Sequence, residues 1–207
     1  MVRHWLALSQ TLFTSCRMNE RDLVMVDAVH KRAQALENAG SDAQINGDYQ
    51  KAADKFREAA DILRKAGDYN MSSLDSDRAG TALEAEGGRK MKAGDMKGAE
   101  KAFKGAAENM EAAAQDDLKT KSPFRNSDAE MHYRAAGEDR LHAGASAEVG
   151  GKKGEAARNY SKGQDDFERA ADAAKKQGHK SDASYYHKRA DKAGEAAEQV
   201  ANPHNKL

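Results

Sequence analysis

Histidines, a single cysteine and a few adjacent carboxylates are the side chains of this sequence whose types could do chemistry, so their spacing is the first question. Two metal ligands on one helix face must stand three or four residues apart, as in Glu-x-x-His or His-Glu-x-x-His. No two histidines meet that spacing: His132 and His142 are ten apart, His179 and His187 eight. Cys16 would need a neighbouring base or an electropositive setting to act as a nucleophile, and the residues around it form only a generic leader. Gly87-Gly88 and Gly150-Gly151 have the composition of a phosphate loop, but neither follows a strand pattern or ends in Gly-Lys-Ser/Thr. Asp116-Asp117 and Asp165-Asp166 could pass for hydrolytic pairs, yet neighbours on a helix point about 100° apart. Both pairs read as solvated surface. The sequence predicts no catalytic residue, no metal site and no cofactor.

Without a reactive constellation, the elements themselves carry the argument. Lys and Arg number 34, as do Asp and Glu, so the formal charge is zero at 207 residues. That balance excludes the basic excess of a dedicated nucleic-acid binder. Alanine is the commonest residue and proline occurs only at Pro123 and Pro203. Alanine loses no side-chain entropy in a helix, and strand-like runs of β-branched residues are missing. An all-α fold is expected. One cysteine cannot form an internal bridge, which suits a reducing compartment. The longest apolar stretch, Trp5 to Phe13, is broken by Ser9, Gln10 and Thr11, and falls short of the roughly 20 residues of a transmembrane helix.

Residues 1–17 stand apart from the rest. Arg3, an apolar stretch and Phe13-Thr14-Ser15-Cys16 loosely follow a lipoprotein signal ending at its cysteine, although the apolar part is short and interrupted. The alternatives are an amphipathic capping helix, or an upstream extension before a start at Met18. The expected organisation is a leader or extension over 1–17, a helical repeat domain over 18–201 and a tail over 202–207. A cytoplasmic location is expected, with lipid anchoring through Cys16 as the alternative.

Three segments align without a gap. They read Gly40, Gly47-Asp48-Tyr49, Ala52, Phe56, Ala59; then Gly87, Gly94-Asp95-Met96, Ala99, Phe103, Ala106; then Gly144, Gly151, Ala156, Tyr160, Gly163. Such spacing describes a helical hairpin. The second glycine ends one helix in a left-handed C-cap, and the Asp that follows caps the next. The first glycine and the alanine let the two helices approach, and the aromatic ring fills the space between them.

These residues resemble the tetratricopeptide repeat family, whose pattern has a glycine in the first helix, Gly-Asp-Tyr at the corner and small-aromatic-small positions along the second. Gly47-Asp48-Tyr49-Gln50-Lys51-Ala52 with Phe56 and Ala59 matches closely, and the resemblance covers roughly 33–64, 80–111 and 137–168. Leu36 and Leu83 occupy the family's large apolar position, where the third repeat has Arg140. Corner glycines lie 47 and 57 residues apart, against about 34 in the family. Longer hairpins are therefore expected, similar in architecture to the soluble NSF-attachment proteins.

The predicted helices run over 20–46, 48–66, 69–93, 95–117, 126–149, 152–177 and 180–200, an α-solenoid of about three antiparallel hairpins with the last helix as a cap. In the family the first helix of each hairpin lines a concave groove. The resemblance places there Gln34, Glu37, Ser41 and Gln44; Thr81, Glu84, Gly88 and Met91; Glu138, Leu141, Ala145 and Glu148; and Lys188, Asp191, Glu195 and Glu198. Acidic residues outnumber basic ones in that set. Glu37 and Ser41 replace two members of the Lys and Asn clamp with which some relatives grip a C-terminal carboxylate. The expected function is a protein-interaction adaptor, scaffold or chaperone-like module that takes a basic segment of another protein. The alternative is a lipid-anchored or secreted assembly protein of the cell envelope. Oligomeric state is not legible.

Overall fold

The computed structural model describes residues 20–202; the expectations for residues 1–17, Cys16 among them, fall outside that range. Seven helices fill it: α1 (Glu20–Ile45), α2 (Tyr49–Lys65), α3 (Tyr69–Lys92), α4 (Met96–Lys119), α5 (Arg125–Val149), α6 (Lys153–Lys176) and α7 (Lys180–Ala201). No strand occurs among the described residues. The long repeat period comes from longer helices: α3 to α6 have 24 or 25 residues each.

Five of the six corners share one construction. Gly47, Gly67, Gly94, Gly151 and Gly178 have φ between 75° and 82°, a region open to glycine because it lacks a Cβ. The residue after each donates its N–H to a carbonyl five back, as Asp48 does to Ala43 at 2.9 Å, which closes a Schellman motif. Asp48, Asp68 and Asp95 then accept from the backbone N–H three residues on. The remaining corner, between α4 and α5, spans Thr120 to Phe124 around Pro123 and has no left-handed glycine.

Consecutive helices pack in antiparallel pairs, held by small residues facing large ones. A Cβ on Gly40 would lie 2.9 Å from the Phe56 ring, one on Gly87 2.9 Å from Phe103, and one on Gly144 2.5 Å from Tyr160. A second tier repeats the device seven residues further along each helix: Gly80 faces Met110, and Gly137 faces Phe167. Ala33 and Leu63 share a cluster at the matching place in the first hairpin. Because the residue numbers rise in one helix as they fall in the other, both tiers fix the same antiparallel register. Around these contacts the core is chiefly alanine.

Beyond neighbours in sequence, α3 touches α5 and α5 touches α7, whereas no two even-numbered helices meet as closely. The odd-numbered helices thus form the more closely spaced layer, which is the inner one where a solenoid curves. Replacing Phe167, which is fully buried, by alanine should cost roughly 3–5 kcal/mol. The substitution Gly144→Ala should cost about 1–3 kcal/mol by overpacking against Tyr160. Urea unfolding of each variant measures both.

Candidate functional site

The outward stripe of α3 runs through Leu74, Asp77, Arg78, Thr81, Glu84, Gly88 and Met91, of which Leu74, Thr81 and Glu84 are exposed and the others partly covered. On α5 the stripe is Met131, Arg134, Glu138, Leu141, Ala145 and Glu148, and on α7 it takes in Tyr185, Lys188, Asp191, Glu195 and Glu198. Most of the predicted groove positions thus lie on the outward stripes of the odd-numbered helices, but they are not all available there. Glu37 is only 8% exposed, since its carboxylate takes Arg78 at 3.4 Å and Gln34 at 3.4 Å. Ser41 donates to the Glu37 carbonyl, and Gln34 also donates to Asn38. Glu138 pairs with Arg189 and Glu148 accepts from Tyr160. Leu141 packs against two core clusters. Gln44, Thr81, Glu84, Lys188, Asp191 and Glu195 remain exposed, while Met91 is half-buried against the Phe103 cluster.

The groove positions omitted the apolar part of this face. Leu74, Met131 and Tyr185 are 41%, 49% and 53% exposed and sit on three successive inner helices. Leu74 and Met131 are separated by 57 residues, the repeat period itself. That equivalence was a usable signal, since a large apolar side chain at the same exposed place in two repeats is not needed for packing.

The two acidic pairs read as solvated surface are a correction. Asp116, Asp117 and Asp166 are buried, and only Asp165 faces solvent. Asp116 joins three helices: it accepts from Arg64 Nε of α2 at 2.8 Å and from Ser72 of α3 at 2.7 Å. Asp117 accepts from Ser73 of α3 and bonds His132 Nδ1 of α5 at 2.7 Å, while His132 Nε2 lies 3.5 Å from Asp77. Burial alone would lower the His132 pKa, but hydrogen bonds to Asp117 and Asp77, with their charges, outweigh it and raise it to about 9. The imidazolium balances the buried carboxylate at the corner that lacks a glycine.

Arg140, at the position where other repeats have leucine, is also buried, and its Nη2 donates to Glu111 at 2.7 Å. Gly163 leaves room for its stem, since a Cβ there would lie 3.2 Å from Arg140 Cβ. Asp166 stands 3.9 Å from Arg140 Nε, and burial, with the Glu111 charge, pushes its carboxyl up to about 7. Burial likewise pushes Asp75 to about 7, with Glu37 adding to the shift and Arg78 opposing it. Asp139 rises to about 8 through burial and the charge of Glu84. Glu130, His179 and Asp182 form a separate group in which one ligand-type atom of each lies within 4.8 Å of the others. No helix among the described residues is long and apolar enough to cross a membrane.

No family model matches the chain, and no curated protein does. Solved structures do match. A chain described as the DHF58 filament shares 18% identity over 89% of this chain and 88% of its own, with a TM-score of 0.63. The DHF119 filament shares 17% over 89% and 85%, TM-score 0.57. The de novo designed helical repeat protein DHR64 shares 18% over 89% and 85%, TM-score 0.56. The fold is that of a helical repeat protein. At these identities the likeness is one of fold alone.

Two outcomes follow from the buried charges. Asp75, Asp139 and Asp166 hold protons in the folded chain at pH values where the unfolded chain has lost them. A raised folded pKa gives stability that is complete below the unfolded value near 4 and is lost as pH rises through about 7 to 8. His132 adds stability below about 6.5 that is lost as pH climbs through about 9. The urea midpoint should therefore fall from pH 5 to pH 9, and Asp139→Asn should flatten that fall. Asp117→Ala, which leaves His132 without its nearest counter-charge, should cost roughly 3–5 kcal/mol at pH 7.

Proposed function

We propose that this chain is a non-catalytic, tetratricopeptide-like adaptor or scaffold whose inner face holds a segment of another protein. The observation that carries the reading is the row of Leu74, Met131 and Tyr185, exposed on three successive inner helices. Apolar side chains repeated along a concave surface supply binding area, and complementary charges beside them set register and encounter rate. Glu84, Asp191 and Glu195 are exposed on the same face and have no ion-pair partner within 4.0 Å among the described residues. The partner segment therefore lays apolar side chains along the row and places Lys or Arg opposite these carboxylates. Arg134 and Lys188 lie between the two sets and reject a partner that is basic throughout. Glu37 takes no part, since its charge is spent on Arg78. This role is consistent with a chaperone-like module as well as a static scaffold.

The test is an affinity capture from an extract of the native host with the wild-type chain, a Leu74→Asp, Met131→Asp, Tyr185→Asp variant, and a Glu84→Lys, Asp191→Lys, Glu195→Lys variant. All changed residues are exposed, so helicity by circular dichroism should stay at the wild-type level. A specific protein held by the wild type should be lost from the first variant and weakened about tenfold or more in the second, with a smaller loss at high salt. Equal retention by all three chains removes the reading.

A further inference from the structure

At the corner between α6 and α7, the residue that follows the glycine is His179, where three other corners have an aspartate that caps the next helix. His179 makes no side-chain cap. Its ring turns across to α5 instead, with Nδ1 3.7 Å from Glu130 Oε2 and 3.9 Å from Asp182 Oδ2. The imidazole thus stands between two carboxylates contributed by different helices. The third edge of the triangle, between Glu130 and Asp182, is within 4.8 Å.

Glu130 is held in place by two neutral donors: Tyr186 Oη at 3.1 Å on one oxygen and Gln177 Nε2 at 3.0 Å on the other. Among the described residues, Asp182 accepts only from Ser181 besides its contact with His179. Among the described residues, no Lys or Arg lies within 4.0 Å of either carboxylate. Two acids drawn together with no Lys or Arg beside them, each oriented toward one imidazole, make a nitrogen-and-oxygen ligand set suited to a cation.

We propose that Glu130, His179 and Asp182 form a three-ligand site for a divalent transition-metal ion, zinc foremost, which ties the terminal helix α7 to α5. Zinc bonds of about 2.0–2.1 Å in a tetrahedron set ligand atoms roughly 3.3–3.4 Å apart. The edges at 3.7 and 3.9 Å must shorten by about half an ångström and the Glu130–Asp182 edge by up to about 1.4 Å, which the turning of His179 and Asp182, 49% and 52% exposed, can supply. Water fills the fourth position. The hydrogen bonds from Tyr186 and Gln177 orient the Glu130 carboxylate, as outer-shell donors commonly do around metals. One imidazole and two carboxylates bind zinc over magnesium or calcium, which favour all-oxygen sites with more ligands. Spacing along a single helix does not reveal this site, because Glu130 stands 49 residues before His179 and on another helix.

The test uses the full chain, stripped with chelator and titrated with zinc chloride or magnesium chloride by calorimetry, with thermal unfolding in parallel. Zinc should bind saturably, and at tenfold over its Kd should raise Tm by about 3–6 °C; magnesium should do neither. His179→Ala and Asp182→Asn, both at exposed positions that leave folding intact, should each weaken this zinc site at least tenfold and abolish the Tm rise. Tyr186→Phe keeps the buried ring and should weaken binding about 10- to 100-fold. Unchanged zinc affinity and Tm rise in both the His179 and Asp182 variants would assign the metal to other residues, such as Cys16 or His4, and overturn the proposal. So would the absence of saturable zinc binding to the wild type.

Discussion

The structure depends on one contact: a helix face without side chains pressed against a large one on the next helix. Gly40, Gly80, Gly87, Gly137 and Gly144 each stand where a Cβ would collide with a ring or a methionine. Dispersion falls off steeply with distance, so a core made mostly of alanine coheres only when backbones come this close. The large side chains Phe56, Leu63, Phe103, Met110, Tyr160 and Phe167 act as gauges of interhelix distance as well as sources of buried area. Everything on the inner face inherits its spacing from them, including the separation of Leu74, Met131 and Tyr185.

Much of this was legible in the sequence, because the constraint leaves a local mark. Gly47-Asp48, Gly67-Asp68 and Gly94-Asp95 announce their corners by residue type, and Gly40 and Gly87, seven before the first and third, announce the close approach. All seven helix positions could be read, five corners from glycine and the one after α4 from the stretch around Pro123, with ends shifted by no more than two residues. The second tier was equally readable, since Ala33, Gly80 and Gly137 lie seven residues before the first-tier glycines, while Leu63, Met110 and Phe167 lie seven after the first-tier rings. The buried charges were not. Asp116 looks like any surface acid within its own helix; what buries it is Arg64, 52 residues earlier, and Ser72 on a third helix. Charge inside a helix reports its surroundings only after the neighbours are known.

Arg140 shows how the repeats diverged while keeping one geometry. Where Leu83 fills its hairpin by volume alone, Arg140 fills the third by a guanidinium directed to Glu111. The exchange replaces apolar burial with a charge that requires partners, and Gly163 removes the side chain that would block its path. The groove positions were harder to foresee for the same reason. Glu37 belongs to the face by spacing, yet its carboxylate is committed to Arg78, and a family pattern does not record such commitments.

Contacts run almost wholly between helices adjacent in sequence, and that has a kinetic consequence. Loop closure between such neighbours spans few residues, so folding can begin at any hairpin and spread outward like a zipper, at rates typical of low contact order. The spread meets one irregular step, at the corner between α4 and α5, where no left-handed glycine aligns the next helix. There the chain must bring Ser73, Asp117 and His132 together from three helices before the array can grow past its middle. The corner is thus set by a polar latch rather than by a left-handed glycine, while Phe103 with Ala143 and Met110 with Ala136 carry the apolar core across it, so the solenoid stays one cooperative array through its middle.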